Sequence, residues 1–239
     1  MFKTRYKEIL TANGLERFAT DELAEKFKNL TARMLEVNSK MNLTAITDED
    51  GIILKHYTDS LMAAEYIPTG ATMIDVGCGA GFPSLPLAIA RPDIKITALD
   101  STAKRINYIS ETAEILGLSN ISAITSRAEE AATKSEYREH FDIACARAVA
   151  KLSPLCELCL PFVKVGGLFA AMKGHSDEET AQASSAIKKL GGKLDSLDNY
   201  SISIPNGEPN PRSIVTIKKY SPTPENYPRN WAQILKKPL

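Results

Sequence analysis

The sequence predicts an α/β fold, in which a mainly parallel sheet carries helices on both faces and follows a helical N-terminal extension. Three observations support this prediction. Short apolar segments alternate with helical patterns from about residue 72 onward, an order that parallel sheets require. One of these segments runs directly into three alternate glycines, as strands do before a tight turn into a helix. The residues before 67 carry apolar side chains at helical spacing.

The N-terminal extension, which we assign to residues 1–66, is predicted to be helical. Residues 4–12 and 20–38 carry apolar side chains at helical spacing. Thr20 or Asp21 is suited to cap the second of these helices, because short polar side chains satisfy the free amides at a helix N-terminus.

A third helix is predicted near 49–65 and contains two polar residues of interest. His56 and Asp59 are three residues apart, so they lie on one face of that helix. There the two side chains can hydrogen-bond each other or a ligand. The Pro-Thr-Gly sequence at 68–70 ends the helix.

Five strands are predicted in the alternating part of the chain. They are residues 73–76, 94–99, 121–125, 141–146 and 168–172. The helices are predicted near residues 84–90, 102–117, 151–163 and 177–190. Short strands that alternate with helices in this way imply parallel strands joined by crossover helices.

The last two strand-like segments are predicted to form a hairpin. Residues 196–204 and 213–218 flank a turn rich in Pro, Gly and Asn, which favours antiparallel pairing at the sheet edge. We assign residues 67–220 to the sheet domain. Residues 221–239 contain four prolines and are predicted to form an extended basic tail.

Length and composition restrict the class of protein. A chain of 239 residues with 44% hydrophobic content can bury a full core, which favours one large domain with an appendage. No apolar run reaches the roughly 18 residues that a membrane span needs. The first six residues are charged and lack the hydrophobic core of a signal peptide. We therefore expect a cytoplasmic protein that does not bind membranes.

The four cysteines are predicted to be reduced thiols, because all of them lie in apolar surroundings. Cys156 and Cys159 have the C-x-x-C spacing of some metal and redox sites. They lie in a helical pattern with no second pair and no nearby histidine, whereas a zinc site needs four ligands. No metal is predicted.

Charge is distributed unevenly, although the net charge is zero. A neutral total argues against a general nucleic-acid binder. Residues 211–239, however, carry six Lys/Arg against one Asp/Glu. The cations there are Arg212, Lys218, Lys219, Arg229, Lys236 and Lys237. Two interpretations stay open: a patch that contacts phosphates, or a solvated surface on a tail.

The glycines after the first strand predict a nucleotide-type cofactor site. Gly77 and Gly79 allow the backbone to turn tightly and approach a ligand. The dinucleotide fingerprint places its third glycine three residues after the second, but Phe82 occupies that position here. Asp75 followed by G-x-G-x-G resembles the first motif of S-adenosylmethionine-dependent methyltransferases. Another nucleotide or a purely structural turn stays open as an alternative.

Charged residues follow the next four predicted strands. Asp100 is 23 residues after the first glycine, near the spacing at which an acid binds ribose hydroxyls. Glu129 and the Ala128 backbone are suited to contact an adenine edge. Arg147 and Lys173 follow the fourth and fifth strands. A single charge at a strand end is often only a solvated loop residue, but charges at successive strand ends predict one site at the carboxyl edge of the sheet.

Several motifs together resemble one family over residues 38–220. They are Asn42-Leu43-Thr44, His56-x-x-Asp59-Ser60, Asp75-Val76-Gly77-x-Gly79-x-Gly81-Phe82-Pro83, Leu99-Asp100-Ser101 with Lys104-Arg105, Ser126-Arg127-x-Glu129, Arg147-Ala148 and Lys173-Gly174. In this order they resemble the bacterial small-subunit ribosomal RNA methyltransferase G family, also called glucose-inhibited division protein B. Two positions depart from the pattern, since Lys55 stands where many members have arginine and Ser84 where others have glycine.

The resemblance implies a fold, a reaction and a cofactor. The fold is a Rossmann-like, seven-stranded class I sheet. The reaction transfers a methyl group from S-adenosyl-L-methionine to nitrogen-7 of one guanine in 16S ribosomal RNA, supplied as RNA or as the small ribosomal subunit. The resemblance implies cofactor contacts by Gly77, Phe82, Ala128, Glu129 and Arg147, and the strand-end argument adds Gly79 and Asp100.

The expected chemistry needs few catalytic groups. Guanine nitrogen-7 has a lone pair and no proton at neutral pH, so its methylation needs no general base, and positioning can supply much of the rate. The fourth strand is followed by no Asn-Pro-Pro-Tyr-like motif, which exocyclic amino methylation would suggest. We predict a catalytic set of Arg147, Lys173 and His56. Residues predicted to hold the flipped guanine or its phosphates are His56, Lys104, Arg127 and Lys173.

Three rival functions make different predictions. A methyltransferase that acts on a small molecule or a protein shares the whole cofactor half, but its activity survives ribonuclease treatment. A nicotinamide enzyme is stabilised against heat by reduced cofactor instead of S-adenosylmethionine. A purely structural RNA-binding protein shows no cofactor effect. We expect a monomer.

Overall fold

Seven strands form one sheet in the computed structural model, which describes residues 1–147, 149–174 and 176–239. The strands are β1 Thr72–Val76, β2 Lys95–Asp100, β3 Ile121–Thr125, β4 Phe141–Arg147, β5 Val163–Lys173, β6 Gly192–Ile202 and β7 Asn210–Lys219. Their order across the sheet is β3-β2-β1-β4-β5-β7-β6. Strands β1 to β5 are parallel, and β7 is antiparallel to both β5 and β6. The predicted α/β fold with an edge hairpin is confirmed.

The N-terminal extension is helical, as predicted. Its elements are α1 Phe2–Ala12, a 3₁₀ turn Glu16–Phe18, α2 Asp21–Met41, α3 Glu49–Gly51, a π-helix Ile52–Thr58, α4 Asp59–Met62 and a 3₁₀ turn Ala63–Tyr66. Thr20 caps α2, since its hydroxyl accepts a hydrogen bond from the Leu23 amide at 3.2 Å. The π-helix contains His56, and π-helical turns often occur at functional sites.

Helices after β1 cover both faces of the sheet. They are α5 Ser84–Ala90, α6 Ala103–Ile115, α7 Ala128–Ala131, α8 Leu152–Cys159, α9 Asp177–Gln182, α10 Ser184–Lys189 and α11 Trp231–Lys236. The single helix predicted near 177–190 is therefore two short helices. The prediction of an extended tail is wrong at α11, where Asn230 caps the helix and Ile234 is fully buried. A capped turn with a buried apolar residue outweighs the local effect of the prolines.

Each face of the sheet has its own core. On the N-terminal face, α5 and α6 contact the sheet, and α1 and α2 pack outside them. Tyr6, Phe27 and Tyr57 form a chain of aromatic contacts there, with ring centroids 5.1 and 4.7 Å apart. On the C-terminal face, α7, α8, α10 and α11 pack around Phe162 and Phe169. Burying one such large apolar side chain stabilises the fold by about 1.5–3 kcal/mol.

The C-terminal tail is anchored to the sheet domain by charged side chains. Arg229 forms an ion pair with buried Glu157 at 2.6 Å. Arg138 donates hydrogen bonds to the carbonyl oxygens of Thr223 at 2.8 Å and Tyr227 at 2.9 Å. Lys219 is buried and lies 3.1 Å from the Glu139 carboxylate. Arg138, Lys219 and Arg229 thus hold the tail and the sheet domain together, whereas Lys236 and Lys237 stay exposed.

The lengths and polarity of the helices can be compared with a bilayer. Among residues 1–147, 149–174 and 176–239, every helix is too short or too polar to cross one. The longest described helix, α2, has 21 residues and carries a charged or polar side chain at most of its exposed positions.

Candidate active site

A cavity of about 480 Å³ opens at the carboxyl ends of β1 to β4. This is the edge at which open α/β sheets bind their ligands. Nine of the predicted site residues line it, namely His56, Gly77, Gly79, Phe82, Asp100, Arg127, Ala128, Glu129 and Arg147. These nine predicted residues therefore lie together in one cavity at the carboxyl edge of the sheet.

The loop after β1 brings its backbone to the cavity. Gly77 and Gly79 have φ angles of +75° and +56°, in the left-handed region that favours glycine. A Cβ atom at Gly77 would lie 2.7 Å from the Val149 side chain, so a larger residue there would have to displace that side chain. At Gly79 the nearest atom to a Cβ would be 3.9 Å away, so the backbone of this residue borders open space in the cavity.

Asp100 lies at the end of β2 with its carboxylate fixed beside that loop. One carboxylate oxygen accepts a hydrogen bond from the Gly79 amide at 3.1 Å, and the other accepts one from the Thr102 amide at 2.8 Å. The Arg105 guanidinium lies 3.5 Å away. Each carboxylate oxygen has a further lone pair, so Asp100 can also accept hydrogen bonds from a ligand.

The turn after β3 adds a carboxylate and a rim cation. Glu129 is 13% exposed, whereas Arg127 is 58% exposed at the entrance. The Arg127 guanidinium is 3.8 Å from the Glu129 carboxylate. Ala128 begins α7, so its amide has no acceptor within the helix and is available to the cavity.

His56, Phe82 and Arg147 form the wall of the cavity on the N-terminal face. The His56 and Phe82 rings are stacked, with centroids 4.3 Å apart and an angle of 7° between their planes. The Arg147 guanidinium lies 5.4 Å from the centroid of the Phe82 ring. Thr44 Oγ1 is 2.9 Å from His56 Nε2. This aromatic and cationic group joins residues that are 91 positions apart in the chain.

His56 is neutral at physiological pH. Burial, with the positive charge of Arg147 as the next cause, lowers the pKa of His56 to about 4. His56 Nδ1 is buried and has no hydrogen-bond partner among the described residues. With Nε2 beside Thr44 and Nδ1 buried, His56 offers the cavity the face of a neutral ring and no charge.

Asp59 orients Arg147 through a buried ionic bridge. Its two carboxylate oxygens accept hydrogen bonds from Arg147 at 2.9 Å and from Arg212 at 3.0 Å. Arg147 also donates to the Lys55 carbonyl oxygen at 2.9 Å. The Asp59 side chain is only 8% exposed. Buried charge pairs of this kind have little freedom, so the Arg147 guanidinium is held in one direction.

Asp75 supports the loop from beneath. It is fully buried, and it accepts hydrogen bonds from the amide of Ser84 at 3.2 Å and from the Ser84 hydroxyl. Burial raises the pKa of Asp75 to about 6. Ser84, which departs from the glycine of the family pattern, thus contributes a second donor to this acid.

Lys173 lies outside the cavity, unlike the other predicted cations of the strand ends. Arg147 is the neighbour of Met172 across the parallel ladder. Consecutive side chains point to opposite faces, so Lys173 points away from Arg147. Its ammonium donates a hydrogen bond to the Ala150 carbonyl oxygen at 2.6 Å and forms an ion pair with Glu179 at 2.9 Å.

Lys104 also lies outside the cavity. It is exposed near the start of α6, whereas the adjacent Arg105 lines the cavity. Successive helix residues point about 100° apart, so only one of two neighbouring cations can face a given site. Ala148, which belongs to one of the family motifs, lies outside the described residues.

Two further lining or bridging residues come from the C-terminal part of the chain and were not predicted as site residues. Arg212 on β7 reaches Asp59, and Trp231 at the start of α11 lines the cavity. In the sequence, Arg212 was visible only as one of six tail cations. Trp231 had a local signal, because the Asn230 cap and the apolar Ile234 mark a short helix.

Comparisons with known proteins agree with this geometry. The family described as rRNA small subunit methyltransferase G matches residues 23–203. The chain is 43% identical over 242 residues to a Ribosomal RNA small subunit methyltransferase G of Brevibacillus brevis, with 100% of both chains covered. It is 46% identical over 218 residues to the protein of that name from Lachnoclostridium phytofermentans, covering 90% of this chain and 89% of that one.

Solved structures share the fold at low sequence identity. M. jannaschii TYW2 in complex with AdoMet gives a TM-score of 0.54 at 16% identity, covering 67% of this chain and 74% of that one. Precorrin-6y C5,15-methyltransferase from Geobacter metallireducens gives 0.51 at 14% identity, covering 68% and 87%. At sequence identities this low, the similarity shows a shared fold and nothing more.

Proposed function

The chain belongs to the rRNA small subunit methyltransferase G family, and from this membership we propose that it transfers a methyl group from S-adenosyl-L-methionine to nitrogen-7 of a guanine in 16S ribosomal RNA. One observation carries the proposal. A single cavity contains both the glycine loop with its acids, Asp100 and Glu129, and the stacked His56 and Phe82 beside Arg147. Residues proposed to bind the cofactor and residues proposed to bind the substrate thus line the same cavity.

The cavity residues fit S-adenosylmethionine. The cavity has a volume of about 480 Å³, within the range of about 300–1,000 Å³ that is usual for small-molecule sites. We propose that Asp100 binds the ribose hydroxyls, that Glu129 and the Ala128 amide bind the adenine edge, and that the backbone at Gly79 lies against the ligand. When bound, S-adenosylmethionine supplies an activated methyl group.

The residues near Phe82 fit methylation at an atom that has no proton to lose. His56 has a pKa of about 4, so it is neutral, and no side chain has to remove a proton from guanine nitrogen-7. We propose that His56 and Arg147 position the guanine, with Arg147 oriented by Asp59. Correct positioning alone can contribute several kcal/mol to lowering the barrier.

The cations outside the cavity are proposed to act in two ways. Arg127 at the rim and the exposed Lys104 are suited to contact RNA phosphates, which hold an RNA in register without reading its bases. Lys173 is proposed to act on the loop after β4, because it binds the Ala150 carbonyl oxygen there. It is therefore proposed as a positioning residue for the cavity wall and not as a catalytic residue.

We also propose that the enzyme is a monomer and that it acts in the cytoplasm on RNA or on small ribosomal subunits. The family relationship supports this compartment, because ribosomal RNA of bacteria is modified there. Sedimentation of the protein with and without small subunits tests the assembly, and a stable homodimer in both samples would contradict it.

Transfer of a labelled methyl group tests the proposed function. The protein is incubated with methyl-labelled S-adenosylmethionine and small ribosomal subunits that lack the modification, and the label is mapped in the RNA. We expect one labelled guanine, with the methyl group on nitrogen-7. Labelling that persists after ribonuclease digestion, in a protein or small molecule, would instead indicate a different acceptor. Absence of any RNA label under these conditions would contradict the proposal.

A further inference from the structure

The tail places one aromatic residue in the cavity. Trp231 is the single tryptophan of the chain, and it lines the same cavity as Ala128 and Glu129. It lies 28 residues beyond the end of the family match at residue 203. The usual cofactor motifs do not include this position.

Three interactions fix the helix that carries this tryptophan. Asn230 caps α11, with its side chain accepting a hydrogen bond from the Gln233 amide at 3.0 Å. Ile234 is fully buried in the core of the C-terminal face. Arg229, two residues before Trp231, is bound to the buried Glu157 on α8. Trp231 is therefore part of a built wall, because the backbone on both sides of it is anchored.

The cavity residues that share the core of the C-terminal face with Trp231 are apolar. Trp231, Ala128 and Val149 pack against the core of the C-terminal face, and all three line the cavity together with Leu158 of α8. Ala128 begins the turn that carries Glu129. The opposite wall, with His56 and Arg147, is polar. A flat apolar surface beside hydrogen-bonding groups suits a planar heteroaromatic ring, whose edge is polar and whose faces are not.

We propose that Trp231 is a cofactor-binding residue whose indole forms the wall against the adenine of S-adenosylmethionine. The inference rests on the proposed function, because it assigns a residue to the cofactor of that reaction. Glu129 and the Ala128 amide bind the edge of the ring, and Trp231 with Val149 supplies apolar contact. Aromatic contact with a base contributes substantially to binding, and its removal weakens affinity by about tenfold or more.

The single tryptophan makes a direct test possible. S-adenosylhomocysteine, which binds without reacting, is titrated into the full-length protein while tryptophan emission is recorded, and calorimetry measures the same affinity independently. We expect a saturable change in emission with the dissociation constant found by calorimetry. Adenosine alone is expected to produce the same kind of change, whereas methionine alone leaves the emission unaltered.

Variants separate the indole from the helix that carries it. Trp231→Ala is expected to weaken S-adenosylhomocysteine binding about tenfold by calorimetry, and Trp231→Phe to weaken it by less than about threefold. Leu235→Ala is the matched control, because Leu235 is 55% exposed on the same helix. We expect it to bind like the original protein. Thermal unfolding of each variant checks that α11 stays folded.

The outcomes distinguish this inference from the proposed function. If the unaltered protein binds S-adenosylhomocysteine by calorimetry, but its emission does not change and Trp231→Ala binds as tightly, the inference is overturned while the proposed function stands. If Trp231→Ala is unstable, the emission changes of the unaltered protein with S-adenosylhomocysteine, adenosine and methionine still decide. If S-adenosylhomocysteine does not bind the unaltered protein at all, both are overturned.

Discussion

The two walls of the cavity differ in chemistry although they lie at the end of one sheet. The wall on the N-terminal face is polar, because His56 stacks on Phe82 and the Arg147 guanidinium lies over the same ring. The wall on the C-terminal face is apolar, with Val149 and Trp231 as its main surfaces. Each wall includes a residue from outside the alternating strands and helices. The N-terminal extension and the C-terminal tail, together with the sheet, therefore determine which ligand groups each wall can bind.

The pleat of the sheet explains why the walls stay separate. Arg147 and Met172 are neighbours in the parallel ladder, so their side chains point to the N-terminal face. Lys173 is one residue further along and points to the C-terminal face, beside Glu179. Two cations at adjacent strand ends thus serve different faces, and the alternation of side chains decides which one enters the cavity.

Removal of Arg147 breaks the polar wall and is expected to have the largest effect. Arg147→Ala should lower the rate of RNA methylation about 10³-fold, because Arg147 is proposed to position the guanine and correct positioning can contribute several kcal/mol to lowering the barrier. Initial rates with saturating S-adenosylmethionine and small subunits measure this. Arg17→Ala, which removes a half-exposed arginine of the extension, is the control. A rate within threefold of the control would show that Arg147 does not act on the reaction.

Removal of Arg229 breaks the attachment of the apolar wall. Arg229→Ala removes the charged partner of the Glu157 carboxylate, which is 1% exposed and keeps a hydrogen bond from the amide of residue 229. We expect the free energy of unfolding to fall by about 3 kcal/mol, as for other buried charges that lose their partner. Urea unfolding measures this, and Lys236→Ala, an exposed cation of the same tail, should change stability by less than about 0.5 kcal/mol. Equal stability of both variants would mean that the tail is not anchored by this pair.

The pH dependence of the free energy of unfolding tests whether His56, in the polar wall, is neutral. Its pKa is about 4 in the folded protein against 6.5 ordinarily, so the unfolded chain takes up the proton first as pH falls. His56 therefore contributes stability above pH 6.5 that is lost as pH falls toward 4. Between pH 6.5 and 5 the loss is about 2 kcal/mol.

A comparison of variants isolates that contribution. Asp75, with a raised pKa of about 6, acts in the opposite direction over the same range, but it is present in all of the proteins compared. His56→Gln should lack the loss of stability that the original protein shows, whereas His140→Gln, at an exposed site, should keep it. Parallel pH curves for all three proteins would refute a buried neutral His56.

Glu129 lines the cavity in the turn after β3, and its replacement should have the smallest effect of the four. Glu129→Gln is expected to raise KM for S-adenosylmethionine about tenfold with little change in kcat, because one hydrogen bond to the adenine edge is weakened before and during reaction alike. Glu130→Gln is the matched control, since its side chain is exposed on the same helical turn. A fall in kcat with unchanged KM would place Glu129 at the reaction centre instead.

Local patterns predicted the fold and nine of the residues that line the cavity. The strands, the glycine loop and the acid at the end of β2 each depend on a few neighbouring residues, and Asp100 lies where its spacing from Gly77 indicates. Lys173 could not be placed in this way. Its face depends on the register of β5 against β4, and a difference of one residue reverses the direction of a side chain.

Long-range contacts account for what the sequence could not show. Arg212 reaches Asp59 across 153 positions, and nothing near either residue indicates the contact. Trp231 lies in a tail with four prolines, and its helix depends on burial of Ile234 against the sheet domain. The sequence shows that both residues are present, but only tertiary packing places them at the cavity.

A crystal structure with S-adenosylhomocysteine tests the central claim most directly, namely that this cavity holds the methyl donor with its sulfur toward the polar wall. We predict the adenine against Trp231 and Glu129, the ribose hydroxyls on Asp100, and the sulfur near Phe82 and Arg147. The ligand bound outside the cavity, or bound in it with the adenine beside His56, would contradict the account.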